Sequence, residues 1–292
     1  MLYIEDRNSD TKLIKGEVFV SINQLKALSG EEKKFFDANG YLLVRGVLNK
    51  EEVEDIKDHF TKLHAKGEIP GCFKAATPEE AGGDILKQYP RMMHPHKVDE
   101  KAKNYMLHSE VMNVLHDIFE EEALAAQSMF YFKPPGARGQ ALHQDNFFLK
   151  VEPGTCVAAW MAIDDADEEN GGLVIVPETN DAELQCAKPS GRKDIFAYAM
   201  EVEVPEGAQP MPVNMKAGDV LFFNGNLIHG SYPNESKNRF RRALIGHYCG
   251  SSTLKIGNHY RPLYMADGTV VDRELNQDAG PCGGEFIEMG AH

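Results

Sequence analysis

The chain is short of tryptophan, of basic residues and of cysteines in any ordered spacing. Its 292 residues hold one Trp and five Cys, with 31 Lys and Arg against 45 Asp and Glu. The formal net charge of −14 argues against nucleic acid and anionic membrane surfaces as partners, because both require a field of the opposite sign. No run of about 18 apolar residues occurs, which argues against a membrane span. The opening residues, MLYIEDRNSD, have neither the basic nor the apolar segment of a secretory leader. Cys72, Cys156, Cys186, Cys249 and Cys282 are odd in number, widely spaced and form no C-x-x-C pair. Neither a zinc ribbon nor a disulfide framework is expected, and reduced thiols in a cytoplasm are. Internal repeats and low-complexity tracts are also missing.

What is present is ordinary for a globular protein: 42% hydrophobic and 26% charged residues. Ser29-Gly30-Glu31-Glu32 and Asn49-Lys50-Glu51-Glu52 read as capping boxes that open helices. Between them NGYLLVRGVL (39–48) is a turn and an apolar strand. Val53, Ile56, Phe60 and Leu63 recur at helical spacing. Residues 65–93, rich in Gly, Pro and Ala, form a long excursion, and 98–121 predicts one further helix. From residue 126 short strand-like runs follow one another: QSMFYF, NFFLKV, CVAAWMAI, GLVIVP, AYAMEVEV, DVLFFN, LIHGSY and ALIGHYCG, separated by turn signals. Such a series after a helical lead predicts a mainly β fold with flanking α-helices, a double-stranded β-helix or jelly-roll barrel. We expect a single domain over residues 1–292. Its helical part runs to about 125, its jelly-roll core covers about 126–250, and an extension covers 251–292.

The chemistry begins at ALHQDNFFL (141–149). With 11 histidines in the chain, one His-x-Asp arises by chance about half the time, so the tripeptide needs company. On a strand, residues two apart share a face. His143 and Asp145 then aim an imidazole and a carboxylate at one point while Gln144 turns away. His229, at the end of the apolar run in GDVLFFNGNLIHGSYPN, is the candidate third ligand, and Gly230 gives the backbone room to turn. Two histidines and one carboxylate make the facial triad of non-haem Fe(II) oxygenases. Downstream, Ser231 and Arg241 supply a hydroxyl and a guanidinium, the pair a distant carboxylate of a cosubstrate requires. His94 and His96 form an H-x-H with no carboxylate spaced to join them, and His247 reads as core or as support for a ligand. Met92 and Met93 read as packing.

From about residue 35 to 250 these segments resemble the phytanoyl-CoA dioxygenase superfamily of Fe(II)/2-oxoglutarate oxygenases, which includes ectoine hydroxylase. The resemblance rests on NGYLLVRGVLNKEEV, FKPPG, HQD, AAWMAIDDADEENGGLVIVP, KAGDVLFFNGNLIHGSYPNES and FRRALIGHY, in that order. It implies iron at His143, Asp145 and His229, and 2-oxoglutarate held by Arg241 and Ser231. Gln127, Met129, Trp160 and Arg91 match positions near that cosubstrate. The spacing from His229 to Arg241 is one residue longer than the family pattern, which leaves Arg239 and Arg242 as competitors. The turn after GGLVIVP reads Glu178-Thr179-Asn180 where the family has Pro-Gly-Ser-His, and that loop would frame the substrate mouth.

The resemblance implies a dioxygenase that consumes O2 and 2-oxoglutarate, releases succinate and CO2, and hydroxylates an unactivated C–H of a small molecule. Asp145 fills the place a halide would need in the related halogenases, so hydroxylation is expected over halogenation. Phe147 and Phe148, beside the triad, are the candidates for substrate contact. Two rivals stand beside this reading: a jelly-roll metalloenzyme of another class, hydrolase or isomerase, and a non-catalytic metal-binding sensor.

Overall fold

The computed structural model describes residues 19–21, 28–195, 200–278 and 280–282. Both capping boxes close as expected. Ser29 opens the helix Gly30–Asn39 and Asn49 opens Lys50–Ala65, each with a reciprocal bond from the Glu three residues on. The expected helix over 98–121 is two, Glu100–Met106 and Ser109–Phe119, broken at Leu107 and His108. The excursion carries two single turns, Pro78–Ala81 and Ile85–Gln88, before the short strand Met92–Met93.

Two sheets face each other. The larger has the order Phe19–Ser21, Tyr41–Arg45, Val220–Asn224, Val157–Ala162, Ala243–Gly250, Ala123–Tyr131, Leu263–Tyr264 and Val270–Val271, with Met92–Met93 paired to Ala123–Tyr131. The smaller runs Met211–Val213, Leu173–Ile175, His229–Ser231, Gln140–His143. This is the jelly roll expected from the sequence. The C-terminal extension contributes through Tyr264, which pairs with Ala125 of the larger sheet.

Alternation along the large sheet sorts the core into two layers. Leu42, Val44, Phe130, Met161, Phe222 and Leu244 point to the helices. Tyr41, Leu43, Met129, Trp160, Phe223 and Ile245 point between the sheets. Because both faces are covered, these strands read as unbroken apolar runs in the sequence. The helix Lys50–Ala65 seats Val53, Ile56, Phe60 and Leu63 on the outer layer. Phe60 stacks on Phe130 with ring centroids 4.0 Å apart and planes 8° from parallel. Burying a side chain of that size contributes about 1.5–3 kcal/mol.

Three expectations need correction. NFFLKV is not a strand: Asn146–Leu149 is a helical turn, because the chain must bend away from the small sheet immediately after His143. AYAMEVEV forms only the short strand Met200–Glu201 among the described residues, and 197–199 lie outside them. The five cysteines are not all reduced: Cys186 is bonded to Cys282, joining a loop to the C-terminal extension, while Cys72, Cys156 and Cys249 are free and buried. Among the described residues no helix is long and apolar enough to cross a membrane.

Candidate metal centre and its anion pocket

Adjacent strands of the small sheet bring the two histidines together. His143 and His229 are direct cross-strand partners in an antiparallel pair. Their approach depends on Gly230, where a β-carbon would lie 2.7 Å from the Gln140 carbonyl oxygen. Asp145 arrives differently from the expectation. It follows the end of the strand and takes helical angles, φ −62° and ψ −38°, so its carboxylate swings back toward the histidines from the first turn after the strand. Gln144 is more than a residue turned away. It is buried, donates to the Asn226 carbonyl at 2.8 Å and accepts from the Gln185 amide at 2.8 Å.

The donor set converges. His143 Nδ1 donates to the Ala141 carbonyl at 2.7 Å and His229 Nδ1 to the Leu227 carbonyl at 2.9 Å. A carbonyl only accepts, so each ring carries its proton on Nδ1 and presents the Nε2 lone pair. Those two Nε2 atoms stand 3.5 and 3.6 Å from Asp145 Oδ1, and the three ligand atoms lie within 4.8 Å of one another. Asp145 Oδ2 accepts from His247 Nε2 at 3.0 Å, the outer bond that aims a ligating carboxylate. Burial opposes charge on Asp145. The neighbouring His229 and His247, with the hydrogen bond from His247, outweigh it and hold the carboxyl well below its usual range. Burial pushes His229 down to about 4, against the pull of Asp145. A charged carboxylate beside a neutral imidazole is the form a metal ion takes up.

The space around these ligands is narrow, about 30 Å³. Through Tyr131, Ser231 and Arg241 it adjoins a chamber of about 340 Å³ lined on one side by the 84–91 segment. The three neighbouring arginines divide clearly. Arg239 is bidentate with Asp167, both contacts at 2.8 Å, and reaches Glu169 at 2.7 Å. Arg242 is tied to Asp164 at 2.7 and 2.8 Å. Arg241 is buried and meets no carboxylate among the described residues. Its Nε donates to the Gly171 carbonyl at 2.8 Å, and its guanidinium lies 5.1 Å from the Trp160 ring centroid and 5.9 Å from that of Tyr131. Burial lowers its pKa to about 10, which leaves it charged.

Met129 and Trp160 line the inner space, and Arg91 lines the outer chamber with Nη1 donating to the Tyr131 hydroxyl at 3.0 Å. Gln127 is fully buried opposite His247 on the neighbouring strand and does not line the inner space. Phe147 and Phe148 do not line it either, and Phe148 packs with the cluster of Leu149, Ile256 and Tyr260. The Glu178-Thr179-Asn180 turn is tied inward. Thr179 Oγ1 accepts from the Ile228 amide at 2.9 Å, and Asn180 donates to the Asp37 carbonyl at 2.9 Å. His94 and His96 join no metal-ligand group among the described residues.

Sequence reasoning missed Lys133 and Tyr131. For Tyr131 the signal was available, since it follows Met129 at the strand spacing of two; Lys133 lies beyond the strand end and carried none. Lys133 is 4% exposed. Burial, and then the charge of Arg241, depress its pKa well below the usual lysine value.

A model of the family described as phytanoyl-CoA dioxygenase (PhyH) matches residues 36–243. Phytanoyl-CoA dioxygenase 1 of Oryza sativa subsp. japonica is 29% identical over 240 residues, covering 72% of this chain and 85% of the relative. Among solved structures, EctD from S. alaskensis with 2-oxoglutarate and 5-hydroxyectoine is 18% identical with a TM-score of 0.60, covering 80% of each chain. The epimerase SnoN in complex with Fe3+, alpha ketoglutarate and nogalamycin RO is 19% identical with a TM-score of 0.61, covering 80% of this chain and 85% of that one.

Proposed function

The chain belongs to the phytanoyl-CoA dioxygenase family and is a 2-oxoglutarate-dependent dioxygenase, and we propose that it hydroxylates an unactivated C–H bond of a small molecule. One observation carries the assignment of roles. Two Nε2 lone pairs and the Asp145 carboxylate meet at one end of a cavity whose other end holds Arg241, a buried cation with no acidic partner among the described residues. That arrangement suits a metal ion at the first end and an anionic tail at the second.

Iron(II) held by His143, Asp145 and His229, together with 2-oxoglutarate, supplies the oxidising chemistry, consuming O2 and releasing succinate and CO2. The chain's own residues orient and protect. The Ala141 and Leu227 carbonyls fix the tautomers of the two rings, and His247 keeps the second carboxylate oxygen of Asp145 from turning. Arg241 and Ser231 anchor the far carboxylate of 2-oxoglutarate, and Trp160 covers the guanidinium from one side. Met129 packs the inner wall, while Arg91 closes the outer chamber through Tyr131. Gln127 stands opposite His247 on the neighbouring strand and serves the site from there. Asp145 occupies the place a halide would take, which favours hydroxylation. Of the two phenylalanines we keep Phe147 as a substrate contact, since it is half-buried and belongs to none of the apolar clusters. We take the helical part, the barrel and the extension to act as one domain, and the cytoplasm as its compartment.

An anaerobic titration of Fe(II)-loaded protein with 2-oxoglutarate tests this. A weak visible charge-transfer band is expected, lost in Arg241→Ala, and succinate should accumulate when a substrate is found in a metabolite screen. Absence of the band, or its survival at unchanged 2-oxoglutarate affinity in Arg241→Ala, overturns the assignment and favours a hydrolase, an isomerase or a sensor.

A further inference from the structure

The cysteines are of two kinds. Cys72, Cys156 and Cys249 are free and buried. Burial pushes the thiols of Cys72 and Cys249 up to about 11, and that of Cys156 well above the ordinary thiol value. The thiolate is the reacting form, so these three are inert. Cys186 and Cys282 are the opposite case: both are exposed, and they are bonded to each other. A small thiol or disulfide in solution reaches this pair first.

The bond lies where two segments meet, and each segment holds one flank of the metal motif. On one side is the 183–186 loop. Gln144, buried between the ligands His143 and Asp145, accepts from the Gln185 amide at 2.8 Å and donates to the Glu183 carbonyl at 3.3 Å. On the other side is the C-terminal extension. Buried Asn276 donates to the Lys150 carbonyl at 2.9 Å, and Lys150 Nζ donates to the Asp278 carbonyl at 2.7 Å. Lys150 ends the turn Asn146–Leu149 that follows Asp145. The disulfide thus closes a strap whose two ends grip residues 144 and 150, on either side of Asp145.

The two ends are fastened unequally. Gln185 is also paired with Glu203 through two bonds of 3.0 Å. Beyond Asp278, the sole hydrogen bond of 280–282 among the described residues is local, from the Gly280 amide to Asp278 at 3.0 Å. The disulfide is therefore what ties that end down.

Opening the bond requires a dithiol. Its thiolate attacks one protein sulfur, the S–S bond breaks, and the other sulfur leaves as a thiolate that takes up a proton. The second thiol of the reductant then displaces the sulfur first attacked. Two electrons and two protons pass to the protein, and the reductant ends as a disulfide. Closure is the reverse exchange with a small disulfide.

We propose that Cys186 and Cys282 form a reversible thiol–disulfide site that sets how firmly the metal centre is held. The closed bond straps the extension to the 183–186 loop and slows loss of the ion, and its reduction loosens the hold on Gln144 and Lys150 together. This rests on the reading that His143, Asp145 and His229 hold iron.

The test follows anaerobic release of Fe(II) from the loaded full chain to an excess of a coloured chelator. One sample is kept closed; the other is opened with dithiothreitol, which is then removed by gel filtration. Alkylation of the native opened protein, mapped by peptide mass, should label Cys186 and Cys282 and spare the three buried thiols. Release from the opened form should be about 3–10-fold faster, less than the 10–100-fold that a partner touching a ligand is worth. Cys186→Ser and Cys282→Ser should release at the opened rate and ignore the dithiol. Gln144→Leu cuts the loop end of the strap, so it should release fast and lose most of the dithiol response. Should Gln144→Leu fail to fold, Asn276→Ala cuts the other end and carries the same expectation. Equal rates from the closed and opened forms overturn the proposal, as does a dithiol response that persists in Cys186→Ser or at full size in Gln144→Leu. Failure of the underlying reading looks different: iron would then be retained in neither form.

Discussion

Replacing His247 by Leu should weaken iron binding without touching a ligand. The bond from His247 Nε2 to Asp145 Oδ2 is 3.0 Å long, and both residues are 1% exposed, so no bulk water stands ready to replace the lost donor. An outer partner of a metal ligand is worth about 10–100-fold in metal affinity, or roughly 1.4–2.7 kcal/mol. The metal-free protein should also lose stability by about 1–3 kcal/mol, the cost of a buried polar atom left without its partner. The assay is anaerobic competition for Fe(II) against a coloured chelator, with thermal melting of the metal-free forms as control. His247→Gln, which keeps an N–H donor, should recover most of the affinity. Iron affinity unchanged within twofold in His247→Leu would refute the reasoning. So would a Gln variant as impaired as the Leu variant, since shape and not the hydrogen bond would then be at work.

The remaining predictions concern the frame. Burial holds His94 at about 3 and His96 at about 2, so the unfolded chain binds the extra protons below the ordinary histidine value. Stability should therefore fall as pH drops from about 6.5 toward 3, by about 1.4 kcal/mol per pH unit for each ring. Urea unfolding of His94→Asn between pH 7 and 4 should show one such increment removed, and an unaltered slope would count against it. Phe60→Ala removes the ring stacked on Phe130 and should cost about 3–5 kcal/mol; a loss below about 1 kcal/mol in chemical denaturation would mean the layer repacks. Cys282→Ser opens a covalent loop of sequence separation 96 and should destabilise by at most about 5 kcal/mol. Equal urea midpoints for the variant and the unreduced parent would show that the pair contributes nothing.

The facial triad was legible because its residues are rare types at special spacings, and both capping boxes because they are local. What was not legible depends on the backbone turning where composition is silent. Asn146–Leu149 is as apolar as a strand, yet it is the turn that returns Asp145 to the histidines. Arg241 could not be separated from Arg239 and Arg242 by spacing. Their difference is which of them finds a carboxylate, a property of residues 164–169 far away in the chain. Lys133 was passed over because a lysine before two prolines reads as a surface turn, and only the left-handed backbone just past the strand end turns it inward. The Cys186–Cys282 bond joins two segments that nothing in the sequence brings near each other.

The direct cross-strand pairing of His143 and His229 has a consequence for how this scaffold tolerates change. The distance between the two rings is set by the hydrogen-bond ladder of the small sheet and not by the long connection between them. Residues 185–202 are tied to the strand that carries His143, through the Val202 amide to the Leu142 carbonyl and the Gly139 amide to the Asp194 carbonyl, so new loops belong in the 205–209 turn, where the metal spacing should survive grafting. Substrate range can then drift, or be engineered, while the iron position stays where it is.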